Sequence, residues 1–228
     1  MMDTYSKDNL ALDPNCILEA SCITHKFDYK LFNNINLSFF KKQSVSILGE
    51  SGSGKSTLLN ILSSLLAPNN GKVIYDALDL YSLSNTDLLN IRRRYFGIIF
   101  QAHYLFRGFT AKDNLNISSF LSSNSIDYEL LNKLGILNVI NQNVGELSGG
   151  QQQRLSIARV LNKKPKIIFA DEPTGNLDKK TSLYVMNILF EYIKEYNSSL
   201  VLVTHEEDIA FSCDRVYSLV DNNLKVLK

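Results

Sequence analysis

Hydrophobic and polar positions divide this chain into short strand-like and longer helix-like segments. Strand-like runs occur at 17–20, 35–39, 44–48, 72–75, 97–100, 166–170 and 200–204. Apolar residues recur with helical spacing at 58–66, 86–94, 155–161 and 183–193. Strands that alternate with helices predict an α/β fold with a parallel sheet. The last segment, 216–227, has a turn signal at its centre and predicts a hairpin.

The middle of the chain has a different pattern. Strand-like runs are missing between about 102 and 146, where short helices are predicted at 112–121, 128–134 and 137–141 in an Asn/Ser-rich background. We expect a helical subdomain over approximately 102–162, inserted into the α/β core. Tyr104, Phe106 and Phe109 lie around a glycine at its start. They form either a partner-binding surface or the small core of the subdomain itself.

Composition limits the class of protein. The 228 residues carry a net charge of +1 and are 45% hydrophobic, which suits one globular domain over 16–228 behind a loose polar leader, 1–15. The charge argues against a long basic arm. Three scattered cysteines favour reduced thiols in a cytosolic protein. With no signal-peptide core and no apolar run of about 18 residues, we expect a soluble chain that reaches any membrane through a partner.

A glycine-rich loop between a strand and a helix carries the strongest chemical signal. Its residues are Gly49, Glu50, Ser51, Gly52, Ser53, Gly54, Lys55, Ser56 and Thr57. Glycines allow the backbone to curl so that successive N–H groups face phosphate oxygens, and the following helix N-terminus favours anions. Lys55 can reach the β- and γ-phosphates, and the Ser56 hydroxyl can bind Mg²⁺.

Polar side chains at three further strand ends extend this predicted site. Asp171 and Glu172 follow the buried strand 166–170; Asp171 can hold Mg²⁺, and Glu172 can orient or deprotonate an attacking water. His205 follows strand 200–204, where sites of open α/β sheets lie, and we expect it to contact the γ-phosphate. Gln101 follows strand 97–100.

A second potential phosphate site begins the helix at 155–161. Ser148, Gly149, Gly150 and Gln151 place a hydroxyl and exposed backbone N–H groups at a helix N-terminus. One chain of this length is not expected to fold both sites around one nucleotide. Two copies could share two nucleotides.

Two aromatic residues precede the glycine-rich loop. Phe27 and Tyr29 are both candidates to stack on an adenine ring. Packing of either side chain within the sheet is an equally good interpretation of the sequence.

Taken in order and spacing, these motifs resemble the ATP-binding-cassette ATPases over nearly the whole chain, about 17–227. The Leu-Ser-Gly-Gly-Gln element at 147–151 is far more specific than the phosphate loop. The resemblance implies a P-loop NTPase (RecA-like) core with an N-terminal antiparallel β subdomain and an inserted helical subdomain.

The resemblance also implies roles for individual residues. Ser56, Gln101 and Asp171 would serve Mg²⁺, Glu172 would be the catalytic base, and His205 would contact the γ-phosphate of ATP. Phe27 would stack on adenine, although Tyr is common at that position. Ser148 to Gln151 of one copy would close over ATP bound by the other in a head-to-tail homodimer, with Asp178 in the loop that communicates across it.

The partners implied are transmembrane permease subunits on separate chains, with the ATPase on the cytoplasmic face of the inner membrane. Within the family, segments 100–105 and 175–178 resemble the subgroup of lipoprotein-release, macrolide-export and cell-division cassettes, and lipoprotein release is the first expectation. A signalling scaffold of the cell-division type and a macrolide or peptide exporter are alternatives. A cassette ATPase acting on DNA or ribosomes is less favoured, because such proteins usually have a long coiled coil or two cassettes per chain.

Overall fold

The computed structural model describes residues 13–228, so most of the predicted leader, 1–12, lies outside the described residues. Within this range the strands are β1 Cys16–Lys26, β2 Lys30–Phe40, β3 Ser44–Leu48, β4 Asn70–Tyr75, β5 Leu78–Asp79, β6 Phe96–Ile99, β7 Ile167–Asp171, β8 Ser199–Thr204, β9 Arg215–Val220 and β10 Asn223–Val226. The α-helices are α1 Lys55–Leu62, α2 Asn85–Arg94, α3 Ala111–Ser122, α4 Tyr128–Lys133, α5 Gly149–Leu161, α6 Lys179–Glu195 and α7 Glu207–Phe211.

Two sheets organise these elements. The first is antiparallel, with strand order β2-β1-β4-β5. The second has the order β10-β9-β3-β8-β7-β6, and all of its neighbours are parallel except the β9–β10 hairpin. Since parallel strands end at the same edge, the residues that follow β3, β6, β7 and β8 meet there.

The parallel sheet separates two hydrophobic cores. Successive side chains of a strand point to opposite faces. Ile167 and Phe169 of β7 pack with α1 and the antiparallel sheet, whereas Ile168 and Ala170 pack with α5, α6 and the helical insertion. Burial on both faces explains why β3, β7 and β8 are nearly continuous apolar runs.

The stretch between β6 and β7 is helical, as the sequence predicts. It contains α3, α4, α5 and two 3₁₀ turns, Leu137–Val139 and Val144–Glu146. A capping box fixes the start of α3, because the Thr110 hydroxyl accepts from the Asp113 N–H while the Asp113 carboxylate accepts from the Thr110 N–H. Leu115 and Leu131 pack this region onto α5.

Several details differ from the sequence-based expectations. Helix α1 ends at Leu62, so Leu65 and Leu66 follow it in a turn. Leu183 was expected in the apolar stripe of α6, but it is 41% exposed, and Val185 and Ile188 fill that face instead. A core role for the three aromatics of the insertion is wrong, since Tyr104, Phe106 and Phe109 are all at least half exposed.

No helix within 13–228 is long and apolar enough to cross a membrane.

Candidate functional site

The glycine-rich loop curls tightly between β3 and α1. Gly52 and Gly54 have φ of +80° and +99°, in the left-handed region that favours glycine. A Cβ on Gly54 would lie 2.7 Å from Cγ of Leu31, so a larger residue there would displace β2 side chains. Backbone strain and close packing thus both require glycine at 54.

The Lys55 side chain lies inside this curl. Its Nζ donates to the carbonyl oxygens of Gly49 at 2.7 Å and Glu50 at 2.8 Å, and the residue is buried. Burial lowers the pKa of Lys55, while the nearby carboxylates of Glu172 and Asp171 act in the opposite direction. The loop therefore holds an ammonium group against its own carbonyl oxygens, near the carboxylates of Asp171 and Glu172.

Ser56 and Asp171 bring two oxygen-bearing side chains together beside the loop. The Ser56 hydroxyl donates to Oδ1 of Asp171 at 3.1 Å, although the two residues come from α1 and β7. Burial raises the pKa of Asp171, an effect opposed by the Ser56 hydrogen bond. A hydroxyl and a carboxylate suit Mg²⁺, which takes one or two protein oxygens and completes its shell with phosphates and water. Gln101, exposed at the end of β6, lines the same cleft.

The Glu172 carboxylate is held by the end of the neighbouring strand β8. Its Oε1 accepts from the backbone N–H of His205 at 3.0 Å and lies 2.7 Å from Nδ1 of His205. Its Oε2 accepts from the Thr204 hydroxyl at 2.9 Å. The sequence does not predict this contact with Thr204, whose only signal is the position of Thr204 directly before His205.

One open cleft of about 820 Å³ brings most of the predicted site together. It is lined by the phosphate loop apart from Ser53, and by Gln101, Asp171, Glu172, His205, Phe27 and Tyr29. Glu207 of α7 also lines it, although no pattern in the sequence predicts this five-residue helix.

The Ser148–Gln151 element is placed apart from this cleft. Ser148 caps α5, its hydroxyl accepting from the Gln151 N–H while Oε1 of Gln151 accepts from the Ser148 N–H. Ser148 and Gly149 are exposed, and neither lines the cleft. Behind them, Gln153 donates to the Pro173 carbonyl at 2.7 Å, which ties α5 to the turn after Glu172. Within one chain the two predicted phosphate sites therefore do not meet.

Asp178 follows the same turn and caps α6. Its carboxylate accepts from the Thr181 N–H at 3.0 Å and the Thr181 hydroxyl at 2.6 Å, and these bonds lower its pKa. Asn176, also in this turn, lies 3.3 Å from the ring of His103, close to Gln101 in sequence. The turn thus contacts the start of the helical insertion.

Both candidate aromatics lie at the cleft and are more than half exposed, Phe27 at 54% and Tyr29 at 63%. The ring of Phe27 packs edge-on against buried His25, with centroids 4.9 Å apart. The interpretation that these aromatics are packed within the sheet is wrong for both, and the choice between them as a stacking partner stays open.

The cleft combines a P-loop with two carboxylates at strand ends, and a separate Ser-Gly-Gly-Gln motif begins α5. Together these features define a cassette that binds and hydrolyses ATP. The family model described as ABC transporter matches residues 32–175, and the chain belongs to that family. The predicted fold class, with its antiparallel β subdomain and helical insertion, is confirmed by similarity to solved cassettes of this family.

Within this family, the chain is similar to several individual proteins. The lipoprotein-releasing system ATP-binding protein LolD 2 of Chlorobaculum tepidum is 35% identical over 96% of this chain and 93% of its own length. LolD of Wigglesworthia glossinidia brevipalpis is 38% identical over 88% of this chain and 90% of its own length. The ATP-binding cassette MJ0796, solved as a dimer in a post-hydrolysis state bound to ADP and phosphate, has a TM-score of 0.84 and 32% identity, covering 93% of this chain and 99% of that one.

Proposed function

We propose that this ATPase powers release of lipoproteins from the inner membrane, acting on its cytoplasmic face through transmembrane subunits on separate chains. The observation that carries the proposal is the similarity, over most of the chain, to proteins named as ATP-binding subunits of lipoprotein-releasing systems. The cleft supplies the chemistry such a subunit needs, because Lys55, the Ser56–Asp171 pair and Glu172 converge on it. The cargo itself would be selected by the membrane subunits.

In the proposed reaction, residues 49–57 bind the triphosphate of ATP through backbone N–H groups and Lys55. Ser56, Gln101 and Asp171 would hold Mg²⁺, which when bound would neutralise charge on the β- and γ-phosphates. As water attacks the γ-phosphorus, the bond from that phosphorus to the β–γ bridging oxygen breaks and ADP leaves. Glu172 accepts a proton from the attacking water, and His205 contacts the γ-phosphate. Attack needs positioning and charge neutralisation more than covalent chemistry by the protein.

Dimer formation would link this chemistry to movement. Ser148 and Gly149 are exposed, and no residue of Ser148–Gln151 lines the cleft of its own chain, so we propose that this element closes over ATP held by a second copy in a two-fold homodimer. ATP would bind the closed dimer more tightly than the open one. This difference in affinity is the free energy available to move the membrane partner, and hydrolysis reopens the dimer.

The surface proposed to receive the partner is a groove of about 390 Å³ at the base of the helical insertion. Exposed Tyr104 and Phe106 line it together with three cations, Arg92, Arg159 and Lys163, and no acidic residue is among its described lining residues. Burial and nearby Arg159 lower the pKa of Lys163 to about 8. An acidic side chain on an otherwise apolar partner helix would relieve this unbalanced positive charge.

The groove assignment predicts that Phe106→Ser weakens binding of the membrane subunits by about 10-fold or more, because it removes an exposed aromatic anchor. ATP hydrolysis by the isolated chain should stay within about twofold of the unmodified protein, since Phe106 is not in the nucleotide cleft. Phe120→Ser is the matched control, because Phe120 is 82% exposed on α3 and does not line the groove. Equal capture of membrane subunits by both variants would rule the groove out as the docking surface.

A second prediction separates the two aromatic candidates for adenine stacking. Loss of a stacking aromatic costs about 1–3 kcal/mol, so Phe27→Ala should raise the Kd for ATP by roughly 5- to 150-fold. Tyr29→Ala should change it by less than about threefold. Titration with a fluorescent ATP analogue measures both. The reverse order would assign the stacking to Tyr29, and no change in either variant would remove both aromatics from the binding site.

Lipoprotein release itself is tested by capture of the partner from native cells. Tagged Glu172→Gln would be expressed with ATP present, membranes solubilised gently, and the bound proteins identified. Membrane subunits with large extracytoplasmic domains and bound lipoprotein are expected. A cell-division membrane protein would favour a signalling scaffold instead, and release of lipoprotein from reconstituted vesicles would separate the two functions.

A further inference from the structure

The Thr204 side chain makes a buried contact with the proposed catalytic base. Thr204 is 1% exposed, and its hydroxyl donates to Oε2 of Glu172 at 2.9 Å. Oγ1 of Thr204 also accepts from the Glu206 N–H at 3.1 Å. Because an ionised carboxylate can only accept, the Thr204 hydroxyl is the donor in its contact with Glu172.

Glu172 has an unusual backbone conformation, and its side chain is held by hydrogen bonds to residues at the end of β8. Its φ is +47°, in the left-handed region that non-glycine residues rarely adopt. Its N–H donates to the Val203 carbonyl of β8 at 3.0 Å, which joins this backbone to the strand that carries Thr204. Both ends of the residue are therefore anchored on β8.

The contacts with Thr204 and His205 leave the Glu172 carboxylate one free position for accepting a hydrogen bond. An ionised carboxylate accepts about four hydrogen bonds, two on each oxygen. The backbone N–H of His205 occupies one position on Oε1, and Nδ1 of His205 occupies the other in the tautomer that carries a proton there; Thr204 occupies one position on Oε2. The remaining position is on Oε2, and the Thr204 hydrogen bond determines its direction.

The two neighbours of the carboxylate differ in how firmly they hold it. The His205 side chain is 63% exposed, so water competes for its ring contact. Thr204 is buried at the end of a central strand, where its β-branched side chain is restricted at χ1 and water does not compete for its bond. Of the two neighbours, Thr204 therefore holds the Glu172 carboxylate more firmly than His205 does.

We propose that Thr204 is a positioning residue for ATP hydrolysis, orienting Glu172 so that the free acceptor position on Oε2 faces the attacking water. This rests on the proposed role of Glu172 as the base. Thr204 itself contacts neither the nucleotide loop nor the reacting atoms.

The test compares Thr204→Val, which keeps the shape of the side chain and removes the hydroxyl, with Thr204→Ser, which keeps the hydroxyl. A hydrogen bond to a charged group is strong enough that its loss should lower kcat by about 10- to 100-fold in Thr204→Val. KM and the Kd for ATP should stay within about twofold. Thr204→Ser should recover kcat to within about threefold.

Thr174→Val is the matched control. Thr174 is also 1% exposed and lies two residues after Glu172, but its hydroxyl has no hydrogen-bond partner anywhere in the described part of the chain. Its kcat should stay within about threefold. If Thr204→Val does not fold, Thr204→Ala provides the same comparison, and thermal unfolding of each variant checks this.

Single-turnover hydrolysis in a Glu172→Gln background separates this proposal from the function on which it rests. If Thr204 acts through Glu172, adding Thr204→Val to Glu172→Gln should lower the rate by less than about threefold further. A full further 10-fold loss, failure of Ser to rescue, or an equal loss in Thr174→Val would overturn the positioning role. Near-normal turnover by Glu172→Gln alone would instead overturn the assignment of the base.

Discussion

Replacing Glu172 with Gln is expected to lower ATP hydrolysis by roughly 10²- to 10⁴-fold, the range typical for loss of a general base. The amide has nearly the shape of the carboxylate. Its oxygen can keep accepting from His205 while its –NH₂ group donates to the Thr204 hydroxyl, so the side chain stays in place and proton acceptance is lost. ATP binding should remain, because Lys55 and the loop are unchanged. Steady-state phosphate release and nucleotide titration measure the two effects separately.

Glu207→Gln is the control for this substitution. Glu207 lines the same cleft and is exposed, but it has no hydrogen bond to Glu172 or to the phosphate loop within the described residues. Its turnover should stay within about threefold of the unmodified chain. Near-normal hydrolysis by Glu172→Gln would remove Glu172 from the role of base, whatever the control does.

Replacing Lys55 with Ala is expected to weaken ATP binding itself, by about 10- to 100-fold in Kd. Charge-assisted hydrogen bonds to phosphate are each worth about 1.5–3 kcal/mol, and no other lysine or arginine lines the described cleft. Hydrolysis should fall with binding. The variant also loses the hydrogen bonds from Lys55 to the Gly49 and Glu50 carbonyls, but the left-handed conformations of Gly52 and Gly54 remain, so we expect the loop to keep its curl.

Lys166→Ala controls for the loss of a lysine. Lys166 is exposed at the opposite end of β7 from the cleft, and its removal should leave the Kd for ATP unchanged. Equilibrium titration with a fluorescent ATP analogue measures both variants. An unchanged affinity in Lys55→Ala would contradict the assignment of residues 49–57 as a phosphate loop.

Much of the site could be predicted because its chemistry lies at the ends of buried parallel strands. Each such strand is a continuous apolar run, so its end is visible in the sequence, and Asp171, Glu172 and His205 follow directly. The glycine-rich loop is visible for a related reason, since Gly54 adopts a backbone conformation that other residues rarely accept.

Contacts that depend on which strands and helices become neighbours could not be predicted from the sequence. Strand β8 lies between β3 and β7, and only this pairing brings the Thr204 hydroxyl to Glu172. Local periodicity contains no information on strand order. Helix α7 has five residues, too few for a helical period to be recognised, so Glu207 was not expected at the cleft.

The outer face of α6 shows a second limit of sequence patterns. Leu183 fits the apolar spacing of α6 yet is 41% exposed, while Val185 and Ile188 are buried. The spacing of apolar residues predicts that α6 has an apolar stripe, but it does not predict which residues lie at the boundary between the buried and exposed faces. That boundary depends on how the helix packs on β8 and the insertion.

In the proposed dimer two chains close around ATP, each supplying Ser148–Gln151 to the cleft of the other. The most direct test is the mass of Glu172→Gln by sedimentation, with saturating ATP and Mg²⁺, with ADP, and without nucleotide. We expect a dimer with ATP alone, and a single chain in ATP when Ser148→Arg is added, with ATP affinity per chain retained. A single chain at saturating ATP, or a dimer unaffected by Ser148→Arg, would contradict it.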